Sequence, residues 1–165
     1  MRVIVVLDQI RAGLGGKEHA DLPLGGNKAA LGVAELLARQ LPKDAVVATF
    51  YCGPAYYQAA PATVAAKIDK MAAQLDADLL VLGPAFDDPA FAQMACELGA
   101  GSQHKAVVAL AQENNAATIA QYAQQLPLIR LPKKGATGLS QALQDLGQAC
   151  VDYVAGQPID RYCYP

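Results

Sequence analysis

Five short apolar runs, separated by longer segments of helical period, constrain this chain more than any other feature. They are Val3–Leu7 (VIVVL), Val46–Tyr51 (VVATFY), Leu79–Leu82 (LLVL), Ala106–Leu110 (AVVAL) and Leu128–Leu131 (LIRL). Their hydrophobicity is continuous rather than alternating, which implies burial on both faces, as in parallel strands covered by helices. Pro127 and Pro132 bracket the fifth run and Arg130 interrupts it, which suits an edge strand.

The intervening segments read as crossover helices. Asn27 is placed to cap a helix carrying Leu31, Ala34, Leu37, Ala38 and Leu41 on one face. Pro61 opens a second, with Val64, Ile68, Met71 and Leu75 at helical spacing. Residues 88–100 form a third, capped by Asp87 or Asp88, and Ala116–Gln125 a short fourth. The last carries Leu139, Leu143, Leu146, Cys150, Val151 and Val154 and stops at Gly156 and Pro158. The expected fold class is α/β: a single doubly wound, mostly parallel five-stranded sheet with helices on both faces, flavodoxin-like or Rossmann-like, in the order 2-1-3-4-5. Residues 1–156 are expected to form one domain. The tail 157–165 (QPIDRYCYP) follows it, and its two tyrosines predict packing rather than free extension.

The 165 residues suffice for one buried core, and no apolar stretch reaches the length of a membrane span. Val3–Leu7 is too short, and wrongly flanked, for a secretory signal, so a cytoplasmic location is expected. A net charge of −2 without a basic block argues against nucleic acid as a partner. Cys52, Cys96, Cys150 and Cys163 are widely spaced and read as free thiols. His19 and His104 share no short-range ligand spacing, which argues against a metal site, and no cofactor is expected.

In open parallel sheets ligands bind beyond the carboxyl ends of the strands, which selects the loops 8–26, 52–60, 83–88, 111–116 and 132–138. The first, RAGLGGKEHADLPLGGNK over residues 11–28, looks like a phosphate loop but fails the motifs. Arg11 stands where a P-loop needs its first glycine, and Glu18 follows Lys17 where Ser or Thr is required. Glu18 also stands where a dinucleotide motif begun at Gly13 needs its third glycine. The loop is also far longer than the usual connection of about 2–6 residues.

Lys17, Glu18, His19 and Asp21 offer a cation, a general base and carboxylates, or simply a solvated loop whose charges pair locally. Cys52 ends the second run before a Gly-Pro turn and two tyrosines. It is either a thiol activated near helix N-termini or a small buried strand-end residue. Gly83 opens the third loop, GPAFDD, where backbone can approach a ligand. In the fifth loop, PKKGATG, Lys133, Lys134 and Thr137 precede the last helix. They form either an anion site or a basic turn with Thr137 as N-cap.

Four motifs occur in matching order along the chain. GLGGKEHADLP follows the first run, YCGPAYY the second, ADLLVLGPAF spans the third, and KKGATGLSQALQDLGQACVDYVAGQPI lies near the end. Together they resemble the N-terminal region of the substrate-specific component B selenoprotein of glycine, sarcosine and betaine reductases. The resemblance implies a cytoplasmic role in reductive cleavage of small amino-acid-like or quaternary-amine substrates. In that family a selenocysteine attacks the substrate, a partner subunit supplies a pyruvoyl group in the glycine system, and the product passes to another selenoprotein. That selenocysteine lies far downstream in a longer chain, and none of the four cysteines here occupies an equivalent place. What the resemblance carries over is a surface for substrate or partner: Gly15, Gly16, Lys17, Glu18, Asp21, Cys52, Gly53, Tyr56, Gly83, Pro84, Phe86, Gly135 and Gly138.

Three functional readings follow. In the first, the chain is a reductase component handling a small amine or carboxylate substrate, alongside other complex subunits or further copies of itself. In the second, it is a non-catalytic module holding a small anion near Lys133, Lys134 and Gly135. In the third, Cys52 is itself a nucleophile with His19 as its base and Glu18 beside it, which requires the first loop to fold over the second and the thiol to be acidified. A flavin is disfavoured because the first loop lacks a short hydroxyl-rich phosphate turn.

Overall fold

The computed structural model describes residues 1–165. The five runs are strands: β1 (Val3–Leu7), β3 (Val46–Tyr51), β4 (Leu79–Leu82), β5 (Ala106–Leu110) and β6 (Leu128–Arg130). A sixth, β2 (Gly25–Asn27), joins them, and the sheet runs β2-β3-β1-β4-β5-β6. All pairings are parallel except β2 with β3. Without β2 this is the expected 2-1-3-4-5 order. Every residue of β1 and β5 is buried, as continuous apolar runs at the centre of a covered sheet must be.

The helices are α1 (Ala34–Ala38), α2 (Pro54–Ala59), α3 (Pro61–Gln74), α4 (Pro89–Gly101), α5 (Ala116–Tyr122) and α6 (Leu139–Val154). α1 packs with α6, while α4 packs with both α2 and α5. None is long and apolar enough to cross a membrane. The core is one continuous cluster from Val3 to Ile159, and Val64 and Ile68 of α3 lie in it, as the spacing predicted.

Two expectations for the elements are corrected. Asn27 does not cap a helix; it lies in β2, opposite Thr49. Residues 29–31 are held by the buried Thr49 hydroxyl, which donates to the Ala29 carbonyl (2.8 Å) and accepts from the Leu31 amide (3.1 Å). Gly32 then adopts φ +59°, and a Cβ there would lie 2.0 Å from the Arg11 carbonyl oxygen. Helix is excluded until that turn is passed, so α1 begins only at Ala34. The second correction concerns the segment after β3. Of residues 52–60 only Cys52, Gly53 and Ala60 lie outside helix, because Pro54 starts α2, whose Tyr57 is buried.

The tail packs against the sheet. Cys163 bridges Ile129 in β6, the Tyr164 amide donates to the Leu128 carbonyl (2.9 Å), and Ile159 enters the core.

Candidate functional site

The site is a cleft of about 750 Å³ at the carboxyl ends of β1 and β4, where their loops meet. β1 is followed directly by Asp8 and Gln9, both buried, and the chain then turns tightly: the Ala12 amide donates to the Asp8 carbonyl and the Leu14 amide to the Gln9 carbonyl. This turn brings Arg11 back over the strand end. Its Nη1 donates to Asp8 Oδ2 (2.8 Å) and to Asp88 Oδ2 (2.7 Å), and its backbone amide donates to Asp8 Oδ1 (2.9 Å). The guanidinium also stands over the Phe91 ring, 5.9 Å from its centroid. Burial pushes the Asp8 carboxyl above its ordinary range, and the bonds from Arg11 oppose that.

Asp88 has a second task. Its Oδ1 accepts from the Ala90 and Phe91 amides (3.0 and 3.2 Å), capping α4, whose first residue is Pro89. Of the two candidate caps, Asp88 is the one used. Asp87 instead accepts the Lys134 amide at Oδ1 (3.1 Å), tying the loop before α6 to the loop after β4. Asn114 joins the same corner, its Nδ2 donating to the Asp87 carbonyl (3.2 Å).

The first loop does fold over the second. The Ala20 carbonyl accepts from the Ala55 and Tyr56 amides, and the Gly53 amide donates to the Leu22 carbonyl. A Cβ on Gly53 would lie 2.1 Å from the Ala20 oxygen, so only glycine admits this approach. The start of α2 is thus covered by protein carbonyl groups. Gln9 pins the other arm, donating from Nε2 to the Gly16 carbonyl (3.2 Å).

Of the residues nominated from sequence, Lys17 and Lys134 border the cleft, with Ala20, Asp87, Asp88 and Asn114 among the other lining residues. Glu18 and His19 do not border it and are exposed. Their side chains fold back over Gly16 and Gly15, where Cβ atoms would lie 2.7 Å from the Glu18 carboxylate and 2.3 Å from the His19 ring. Its own backbone amide and then that of Gly16 hold the Glu18 carboxyl below its ordinary range, with nearby His19 a smaller influence. Asp21 is exposed and Tyr56 half-buried, both outside the cleft lining.

The acidified thiol that a Cys52 nucleophile requires is not found. Cys52 is fully buried, and burial pushes its thiol up to about 11. Gly83, Pro84 and Phe86 are buried too. A Cβ at Gly83 would approach the Ala109 oxygen to 2.7 Å, so its close approach is to β5 and not to a ligand. Phe86 gives its carbonyl to the Ala111 amide and Asn115 Nδ2. Lys133, Gly135, Thr137 and Gly138 are exposed and lie outside the cleft lining. Thr137 does not cap α6: the N-cap is Gly138 at φ +87°, without a side-chain bond.

Sequence reasoning passed over Asp8, Gln9 and Arg11. The signal was present, since a charged residue directly after a continuous apolar strand sits at the ligand-binding edge by construction. No group of three or more His, Cys, Asp or Glu side chains is arranged to hold a metal ion.

Fold and cleft define a doubly wound α/β protein with a charged cleft at the carboxyl edge of its sheet. The chain belongs to the glycine/sarcosine/betaine reductase selenoprotein B (GRDB) family, whose model matches residues 1–162. It is 34% identical over 88 residues to the sarcosine reductase complex component B subunit beta of Peptoclostridium acidaminophilum. It is 33% identical over 88 residues to the glycine reductase complex component B subunit gamma of Peptoclostridium litorale. Each match covers 53% of this chain and 20% of the relative, so the aligned region spans about a fifth of either relative's length. No solved structure gives a significant match.

Proposed function

We propose that this chain is a substrate-handling module of a component-B-type reductase, presenting a small amino-acid-like or quaternary-amine substrate to a redox partner. The cleft over β1 and β4 is the substrate site. The observation that carries this is its charge pattern: Asp8, Asp87 and Asp88 share the lining with Arg11, Lys17 and Lys134, three of each sign. A zwitterion entering such a cleft meets a partner for each end and no excess field against either.

Reductive cleavage of a carbon–nitrogen bond needs two electrons, and no cysteine borders the cleft. Cys52, Cys96 and Cys150 are buried, and Cys163 lies in the tail beside β6. On this reading the electrons are supplied from outside these residues, in keeping with relatives that are components of reductase complexes.

Calorimetric titration of the purified chain with glycine, sarcosine and betaine, followed by pull-down with the remaining components of a sarcosine reductase complex, tests the proposal. Binding of at least one substrate together with association of one component is expected. Failure of all three substrates to bind would overturn the substrate site, and failure of every component to associate would overturn the complex role.

A further inference from the structure

Hydrogen-bonding capacity in the cleft is distributed unevenly between its acids and its bases. Both oxygens of Asp8 are engaged by Arg11, and both oxygens of Asp88 are engaged by Arg11 and the start of α4. These carboxylates are satisfied within the protein. The cations are not. Lys17 and Lys134 form no ion pair, and Arg11 commits only Nη1 of its side chain.

Nε and Nη2 of Arg11 make no protein hydrogen bond, and neither is among the polar atoms sealed away from solvent. They share the other edge of the guanidinium, a planar two-donor fork that matches a carboxylate. The side chain is only 9% exposed, and it is held by Asp8, Asp88 and the Phe91 ring. Its orientation is therefore settled before any ligand arrives, which lowers the cost of using it.

We infer that Arg11 anchors the carboxylate of the ligand through its Nε–Nη2 edge, so that the cleft selects small acids and does not accept the corresponding amides. The inference deepens the proposed substrate site and rests on the cleft being that site. Asp8 and Asp88 orient the guanidinium, while Lys17 and Lys134 add screened, longer-range attraction at the rim. The amine end then lies toward Asp87, whose Oδ2 accepts no protein hydrogen bond.

Calorimetry on the purified chain with sarcosine, its primary amide and dimethylamine tests this. The wild type is expected to bind sarcosine at least about tenfold more tightly than either neutralised or carboxyl-free probe, the difference a charge-assisted bidentate pair supplies. R11K, which keeps a cation between Asp8 and Asp88, should lose about tenfold for sarcosine and most of the acid-over-amide preference, with an unchanged circular dichroism spectrum. In K17A/K134A the preference should survive.

Equal affinity for acid and amide in the wild type, or a preference that disappears with the two lysines, overturns the Arg11 assignment even if R11K does not fold. Either result leaves the cleft as the substrate site. Binding of sarcosine with no reductase component associating keeps the Arg11 assignment and counts against the complex role. Failure of these probes, and of glycine and betaine as well, to bind at millimolar concentration overturns both the Arg11 assignment and the substrate site.

Discussion

Arg11 and Asp88 stand 77 positions apart in sequence, yet the guanidinium Nη1 donates to the Asp88 carboxylate across 2.7 Å. The bond spans the loops that leave β1 and β4, neighbours in the sheet, and Asp8 completes it from below. It thus closes the floor of the cleft and joins the two loops beyond the last backbone bond between these strands, from the Gly83 amide to the Val6 carbonyl (3.1 Å).

Asp88 should therefore reveal two separable contributions. D88A removes the cap of α4 and one partner of a largely buried arginine, with an expected loss of about 2–4 kcal/mol. D88N retains an oxygen for the Ala90 and Phe91 amides and should be milder by about 1 kcal/mol. Urea unfolding of both variants measures the difference; equal losses would mean that the cap carries nothing.

The contact of the first loop with α2 depends on the absence of one methyl group. G53A places a Cβ against the Ala20 carbonyl, a backbone atom that cannot step aside. The expected cost is about 1–3 kcal/mol, from displaced backbone and strained packing, together with weakened ligand binding because Lys17 and Ala20 shift. Thermal melting followed by circular dichroism checks the first part and calorimetry the second.

Thiol reactivity should follow burial. In the native protein at pH 8, iodoacetamide is expected to modify Cys163 first, since Cys52, Cys96 and Cys150 are buried. With its thiol near 11, Cys52 is ionised to only about one part in a thousand at that pH. Native Cys52 keeps its proton between the ordinary value of 9.0 and about 11 while the unfolded thiol loses it, so this contribution to stability falls as pH rises through that window. Peptide mapping by mass spectrometry gives the order; rapid labelling of Cys52 would contradict the buried site.

Asp8 makes stability depend on pH at the acid end. Its native carboxyl titrates above the ordinary 3.8, so the folded state binds the proton more readily than the unfolded state. That contribution is complete below about 3.8 and is lost as pH rises through the native value. D8N should flatten this part of the stability–pH curve relative to wild type. Parallel slopes in urea titrations at a series of acid pH values would show that Asp8 titrates normally.

The rim lysines are exposed, and their effect should be electrostatic and small. K17A/K134A is expected to weaken sarcosine binding a few-fold and to reduce its salt dependence, at about 0.5 kcal/mol or less in stability. K133A, whose side chain does not border the cleft, should change neither. Calorimetry at low and high salt compares them.

Five strands and their order follow from uninterrupted apolar runs, because a strand buried on both faces has no polar position to lose. β2 carried no such signal. Gly25, Gly26 and Asn27 are held by backbone pairing to β3, and side chains at the two glycines would meet the Tyr51 and Phe50 rings. The start of α1 was hidden for a similar reason: Gly32 is bent by its contact with the Arg11 carbonyl, which no spacing within residues 27–41 records. Lys17 and Lys134 could be picked out because they lie in loops that the sheet order aims at one edge. Glu18 and His19 could not be excluded from that edge, since their turn back onto Gly16 and Gly15 is a matter of three-dimensional packing.

What the residues alone determined was thus the architecture, the carboxyl edge of the sheet at which the cleft opens, and the family, all of which rest on local pattern and motif order. The tertiary structure decided which charges meet there. Asp8, Arg11 and Asp88 become one unit only when β1 and β4 lie side by side, and Cys52 is buried only when the core closes around it. Ion pairing and burial depend on through-space distance, and chain spacing does not encode that until the sheet has formed.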